Sequence, residues 1–442
     1  MKAKILLSVT LVALLAAGCG STSAGNKAES ETETDTETEE SGDAGEFVPA
    51  LDTTAELTLN VVGSWGNFEA LDEVALNFQE YYPNVEVVYT QIQNGSEDIQ
   101  NMAASGVGMD IYCNAWYNPA QEDKVVYTDL AEDLNETDID FSNLNSDMLS
   151  TGQVDGAQLL VPVYEQMFGM MVNYTLLEEN DLSVPTNYAE LTETCDALVA
   201  AGYEHPIFLA GSASSRNMIN MVMADILHSS DPEETAAKLA EGTDEEGYID
   251  NALSRFDELE AKGYFDHEAD TFEDTYESVI LRFFEGDVPF VLYSANNYSG
   301  TKKREAKSEA FTAEPFSYGF EPAPLEDDGA YGYMTTLGAF YMGVYKDSEN
   351  LEYANELLRF MLRDDQMTTL ADVKNLYVTM EHTGLESLAG TENMPNEYKI
   401  YPTEIDQYNL IDQAVQDAVA DYIPGVTSHE EVLELFATGK EE

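Results

Sequence analysis

The sequence predicts an α/β fold built on parallel sheet and divided into two lobes, and three observations predict it. Strand-like and helix-like stretches alternate from Leu57 to Cys113, which argues parallel strands with helices on both faces. Residues 47–442 form a body of about 396 residues, more than one hydrophobic core supports, so the body should split. Hydrophobic residues make up 44% of the chain, enough for cores of ordinary globular density.

Leu57-Thr58-Leu59-Asn60-Val61-Val62 reads as a strand and ends in the loop Gly63-Ser64-Trp65-Gly66-Asn67. Leu71, Val74, Ala75 and Phe78 follow at i, i+3, i+4, i+7, one face of a helix. Tyr82-Pro83-Asn84 breaks that helix, and Val85 to Tyr89 reads as a second strand. A helical stretch at Ile99 to Ala104 leads to a third apolar run, Met109 to Cys113. In such sheets ligands sit beyond the carboxyl ends of the strands. Two loops qualify, Ser64 to Asn67 and Asn114 to Asn118, and the chain's only two tryptophans fall in them. Loop tips bury a tryptophan poorly, so Trp65, Asn67, Asn114, Trp116 and Tyr117 are candidate ligand contacts; the competing reading is two core tryptophans.

The chain carries 85 acids against 19 bases, a net charge of −66. Residues 1–18 hold +2 and residues 19–46 hold −8, which leaves −60 on residues 47–442. Nucleic acid and anionic membrane surfaces are therefore poor partners. The acidity fits a solvated surface or, alternatively, a cationic ligand. After Cys19 only Cys113 and Cys195 remain, and two buried thiols are favoured over a disulfide.

The N-terminus has the order of an export signal: Lys2 and Lys4, an apolar run from Ile5 to Ala17, then a small-residue exit. Leu15-Ala16-Ala17-Gly18-Cys19 resembles the lipobox of bacterial lipoproteins, although its leucine lies one position early. That resemblance implies cleavage after residue 18, acylation of Cys19, and residence at the extracytoplasmic face of the cell membrane. Residues 19–52 then read as an acidic disordered tether, since Glu31 to Glu40 alternates acids with threonine and buries nothing.

The order of elements resembles the extracellular solute-binding proteins of ABC importers, in the branch that binds sugars. The resemblance rests on Leu160-Val161-Pro162-Val163-Tyr164 leading to Asn173-Tyr174, and on Pro185-Thr186-Asn187-Tyr188-Ala189-Glu190-Leu191, with Tyr188 where the family has Trp. It continues in Phe284 to Val291, in Tyr318 to Pro324, and in Leu337-Gly338 through Asn350. The family implies a periplasmic-binding-protein-like fold whose lobes are joined by crossing hinge strands and close on a ligand. Lobe one is expected to comprise 53–161 and 295–345, and lobe two 162–294 and 346–442. The resemblance aims Tyr164, Glu165, Tyr293 and Asn296 at the cleft, with Tyr333 beside the last crossing strand. Arg216, in the polar stretch Gly211 to Asn217, could clamp hydroxyls or pair with one of the many acids.

The expected function is capture of a carbohydrate, an oligosaccharide foremost, by a monomer that presents it to the transmembrane subunits of an importer. Aromatic faces would pack on the C–H side of a sugar ring, and amides, carboxylates and Arg would meet its hydroxyls. One alternative is a polyamine boxed by Asp110, Glu165 and Trp116. Another is a carbohydrate hydrolase, whose paired carboxylates need not be close in sequence. No His-x-x-x-His, Cys-x-x-Cys, Gly-x-Ser-x-Gly or phosphate-cradling glycine motif is present, so neither a metal nor a cofactor is expected. Lys302-Lys303-Arg304 with Lys307 forms a basic cluster, read as a solvated helix face or a docking edge.

Overall fold

Strand β1 (Leu57–Gly63) pairs in parallel with β2 (Val85–Gln91) on one side and β3 (Ile111–Asn114) on the other. This computed structural model describes residues 46–65, 68–106, 108–114, 129–266, 276–326, 334–374, 376–380, 399–400 and 413–438. Between β1 and β2 runs α1 (Glu69–Gln79), which buries Leu71, Val74, Ala75 and Phe78, the stripe that its spacing predicts, together with Ala70. Helix α2 (Ser96–Ser105) ends at Gly106, whose φ of 67° is left-handed.

The sheet continues through β8 (Met334–Val344), which runs antiparallel to β3, and β4 (Val161–Asn173). Strand β4 is long enough to serve two neighbourhoods. Its first part, Val161 to Met167, pairs with β8; its second, Phe168 to Val172, pairs with β6 (Phe290–Ser294). Beyond β6 lies β5 (Ile207–Leu209), and β7 (Tyr318–Glu321) pairs with the end of β4. The order is therefore β2–β1–β3–β8–β4–β6–β5, with β4 passing from one half to the other.

Helices complete each half. α8 (Leu351–Met361) and α9 (Asp364–Lys374) pack on α1. α3 (Tyr188–Ala201), α4 (Gly211–His228) and α5 (Tyr248–Ala261) bury a second core, which includes Leu191, Leu198, Met218, Val222 and Phe256. α10 (Gln413–Tyr422) and α11 (His429–Thr438) pack on that same group. At the start of α3, Asn187 accepts the Glu190 N–H at 2.9 Å, one half of a capping box. The Glu190 carboxylate turns instead to Thr186, taking its N–H and its hydroxyl at 2.8 Å.

Three expectations about organisation need correction. Residues 295–326 do not leave the second half, because β6 and β7 both hydrogen-bond to the second part of β4. Residues 351–374 do not join it, because α8 and α9 cover α1. The return to the first half therefore runs along β8. Finally, the tether does not extend to residue 52: Phe47 is buried against Tyr81 and Phe360, with Arg359 over its ring. The buried Glu356 fixes this entry, accepting from Ala50 N–H, Tyr82 Oη and Arg359. Both Cys113 and Cys195 are buried free thiols.

Candidate functional site

The chain leaves β1 through Gly63 and reaches Trp65 two residues later. A Cβ on Gly63 would lie 2.4 Å from Cys113 Sγ and 2.7 Å from Tyr89 Oη, so a larger residue here would displace the Cys113 and Tyr89 side chains. Tyr89 Oη donates to the Trp65 carbonyl at 2.9 Å and fixes the turn. The Trp65 ring is half-buried in an aromatic nest. Phe340 lies 4.0 Å away between centroids at 31°, Tyr164 5.4 Å at 35°, and Phe68 5.6 Å edge-on.

Phe340 has a φ of 60°, a left-handed conformation that bulky residues rarely adopt. It follows an irregularity in the β8–β4 ladder between Thr335 and Gly338. Packing against Trp65, Phe68 and Tyr164 holds it there, a local strain of the kind that gathers at binding sites.

Charge completes this corner. The Lys374 ammonium stands 4.8 Å over the Trp65 ring and 2.8 Å from Glu69 Oε2. Lys303 reaches Glu69 Oε1 at 2.5 Å from α7 (Thr301–Glu305), which follows β6 in the other half. Partial burial pushes the Glu69 carboxyl up, but its bonds to Lys303 and Lys374 outweigh that and bring it down to about 2.

The remaining sequence candidates fall into three groups. Tyr164 and Glu165 are not cleft-facing: both have no exposed surface. Tyr164 Oη donates to the Leu370 carbonyl at 3.1 Å, and Glu165 N–H donates to Tyr377. They occupy the centre of the sheet where β4 lies under residues 376–380, so Tyr164 backs Trp65 from beneath. Tyr293 is likewise buried at the end of β6, where the Asn217 amide donates to its carbonyl at 3.3 Å. Nearby, Asn296 is half-buried in the turn Ala295–Tyr298. Arg216 is half-buried on the first turns of α4, which takes in the whole polar stretch Gly211 to Asn217. Asn67, Trp116, Tyr117, Tyr333 and Cys19 lie outside the described residues, and of Asn114 only the backbone is described.

Asp110, offered above as an amine ligand, is 3% exposed and fully engaged. It accepts from Asn60 N–H at 2.7 Å, Ser348 Oγ at 2.5 Å and Asn350 Nδ2 at 3.3 Å. It ties β1 and β3 to the start of α8 and has no part in a polyamine box. Among the described residues no group of three or more His, Cys, Asp or Glu is placed to hold a metal ion.

The pattern of the bacterial extracellular solute-binding proteins matches residues 63–368. The chain belongs to that family. The apo form of RafE from Streptococcus pneumoniae has a TM-score of 0.68 at 17% identity, covering 88% of this chain and 98% of its own. RafE in complex with raffinose scores 0.66 at 17% identity, covering 87% and 100%. The GacH receptor of Streptomyces glaucescens, solved unliganded and with acarbose, scores 0.65 at 15% identity, covering 87% and 97%. At these identities the likeness establishes the two-lobe fold. No curated protein matches the chain.

Sequence reasoning placed Trp65 correctly at a strand's carboxyl end but missed Glu69, Phe340 and Lys374. For Lys374 a signal existed: with 19 bases against 85 acids, a basic side chain is uncommon in this chain.

Proposed function

We propose that this protein captures an oligosaccharide between its two halves and delivers it to the transmembrane subunits of an importer. The observation that carries the reading is Trp65 at the carboxyl end of β1, seated on Tyr164 and Phe340 where β4 and β8 cross between halves. The part-exposed indole there, with Lys374 over its ring, is placed to pack its open surface on the C–H side of a sugar ring. Solved structures of this fold hold raffinose and acarbose, which supports the ligand class. Cys19, acylated, anchors the chain to the extracytoplasmic face of the membrane, and the receptor acts as a monomer. No described helix is long and apolar enough to cross a membrane. The polyamine reading loses Asp110 to the scaffold, and the family is one of binding proteins rather than hydrolases.

Thermal unfolding against raffinose, stachyose, maltose-series oligosaccharides and spermidine tests the ligand class. A saccharide should raise Tm, and Trp65→Ala should weaken that saccharide by at least about tenfold. A shift with spermidine alone overturns the reading. Mass spectrometry of the membrane fraction should find a diacylglyceryl Cys19; an unmodified chain in the medium removes the anchor.

A further inference from the structure

One carboxylate joins the Trp65 corner to the opposite half. Glu69 opens α1, where a negative charge is favoured by the helix dipole. Its two oxygens are divided: Oε2 takes Lys374 from α9, and Oε1 takes Lys303 from α7. The Lys374 arm stays within the half built on β1, because α9 packs on α1. The Lys303 arm crosses between halves. α7 follows β6 after the short turn Ala295–Tyr298, and its Arg304 bonds to Gly300 and to Glu277 of α6 (Tyr276–Phe283). Any separation of the halves must therefore break Lys303–Glu69 and can leave Lys374–Glu69 intact.

We propose that Glu69 is a positioning residue for ligand capture: one arm holds Lys374 over the Trp65 ring, and the other latches the second half closed. The aromatic platform and the closure of the halves are then set by the same charge. This rests on reading Trp65 as the ligand platform. The latch is weak by design of its surroundings, since the Lys303 side chain is 59% exposed and Glu69 33%. A weak latch suits a receptor that must also open.

The two arms separate by substitution. In full-length unliganded protein, Lys303→Met should shift the equilibrium toward the open form, seen as a larger radius of gyration in small-angle scattering at low salt. The 19F resonance of 5-fluoro-Trp65 should stay in place. Lys374→Met should do the reverse, moving that resonance and leaving the radius unchanged. Glu69→Gln should do both, and the exchange Glu69→Lys with Lys303→Glu should restore the radius but not the resonance. Saccharide affinity should fall by about two- to fivefold in Lys303→Met, with a flatter salt dependence than the parent. If the radius is unmoved by Lys303→Met and by Glu69→Gln, the latch is refuted even where saccharides bind well. If the radius and resonance behave as stated but no saccharide binds, the latch stands and the saccharide reading falls.

Discussion

Asp110 and Glu69 are both carboxylates that draw distant segments together, and they differ in every other respect. Asp110 is buried and takes neutral donors, all from segments of one half. Glu69 is partly exposed and takes two ammonium groups, one of them from the other half. A buried acid saturated by neutral hydrogen bonds has nowhere to go, because any displacement strands several donors at once. A partly exposed acid shared between cations can exchange a partner for water at little cost. The first belongs to the scaffold and the second to a joint.

The largest effect that tests this contrast is Asp110→Ala. It removes the buried acceptor shared by the Asn60 N–H and the part-buried Ser348 and Asn350 side chains, so urea unfolding should show a loss of about 2–4 kcal/mol, insensitive to salt. A loss no greater than that of Glu69→Gln would abolish the distinction. A third cluster sharpens it. His429 of α11 lies between Asp257 Oδ2 at 2.6 Å and Asp250 Oδ1 at 2.8 Å, both on α5. Here the partners are charged but belong to one half, so the cluster should affect stability and not closure. Burial lowers the imidazole pKa, yet the two aspartates prevail and hold it above its ordinary value. Its contribution is thus fully present below the unfolded-state pKa and is lost as pH rises through the folded one. Wild type should exceed His429→Asn in Tm by at most about 2 °C at pH 5–6, and the gap should close at alkaline pH. A gap that widens with pH would reverse the assignment. Smallest of all, Glu69→Gln should cost less than about 1 kcal/mol of global stability, while still changing the scattering radius.

Much of the fold was legible because its first elements announce themselves locally. The helical stripe from Leu71 to Phe78 buries the residues it implies, and the strand-like run Leu57 to Val62 forms β1, which buries Leu59 and Val61 on one face and Val62 on the other. The lobe boundaries were not legible. Phe290 to Ser294 is an apolar run that fits either half, and only its ladder with β4 decides. For Tyr164 and Glu165, motif order located the crossover strand but not its depth. A strand paired on both sides can carry even a glutamate at zero exposure. Glu69 was invisible among 85 acids because its role depends on lysines 234 and 305 residues away.

The docking of Phe47 has a mechanical consequence. Phe47 and Ala50 are tied to α1 and α8 through Tyr81, Phe360 and Glu356. A pull along the chain from the residues before Glu46 would therefore load only the half that carries β1. On the proposed reading, the other half opens against this anchored one along β4 and β8, as a door does on a jamb fixed to the wall.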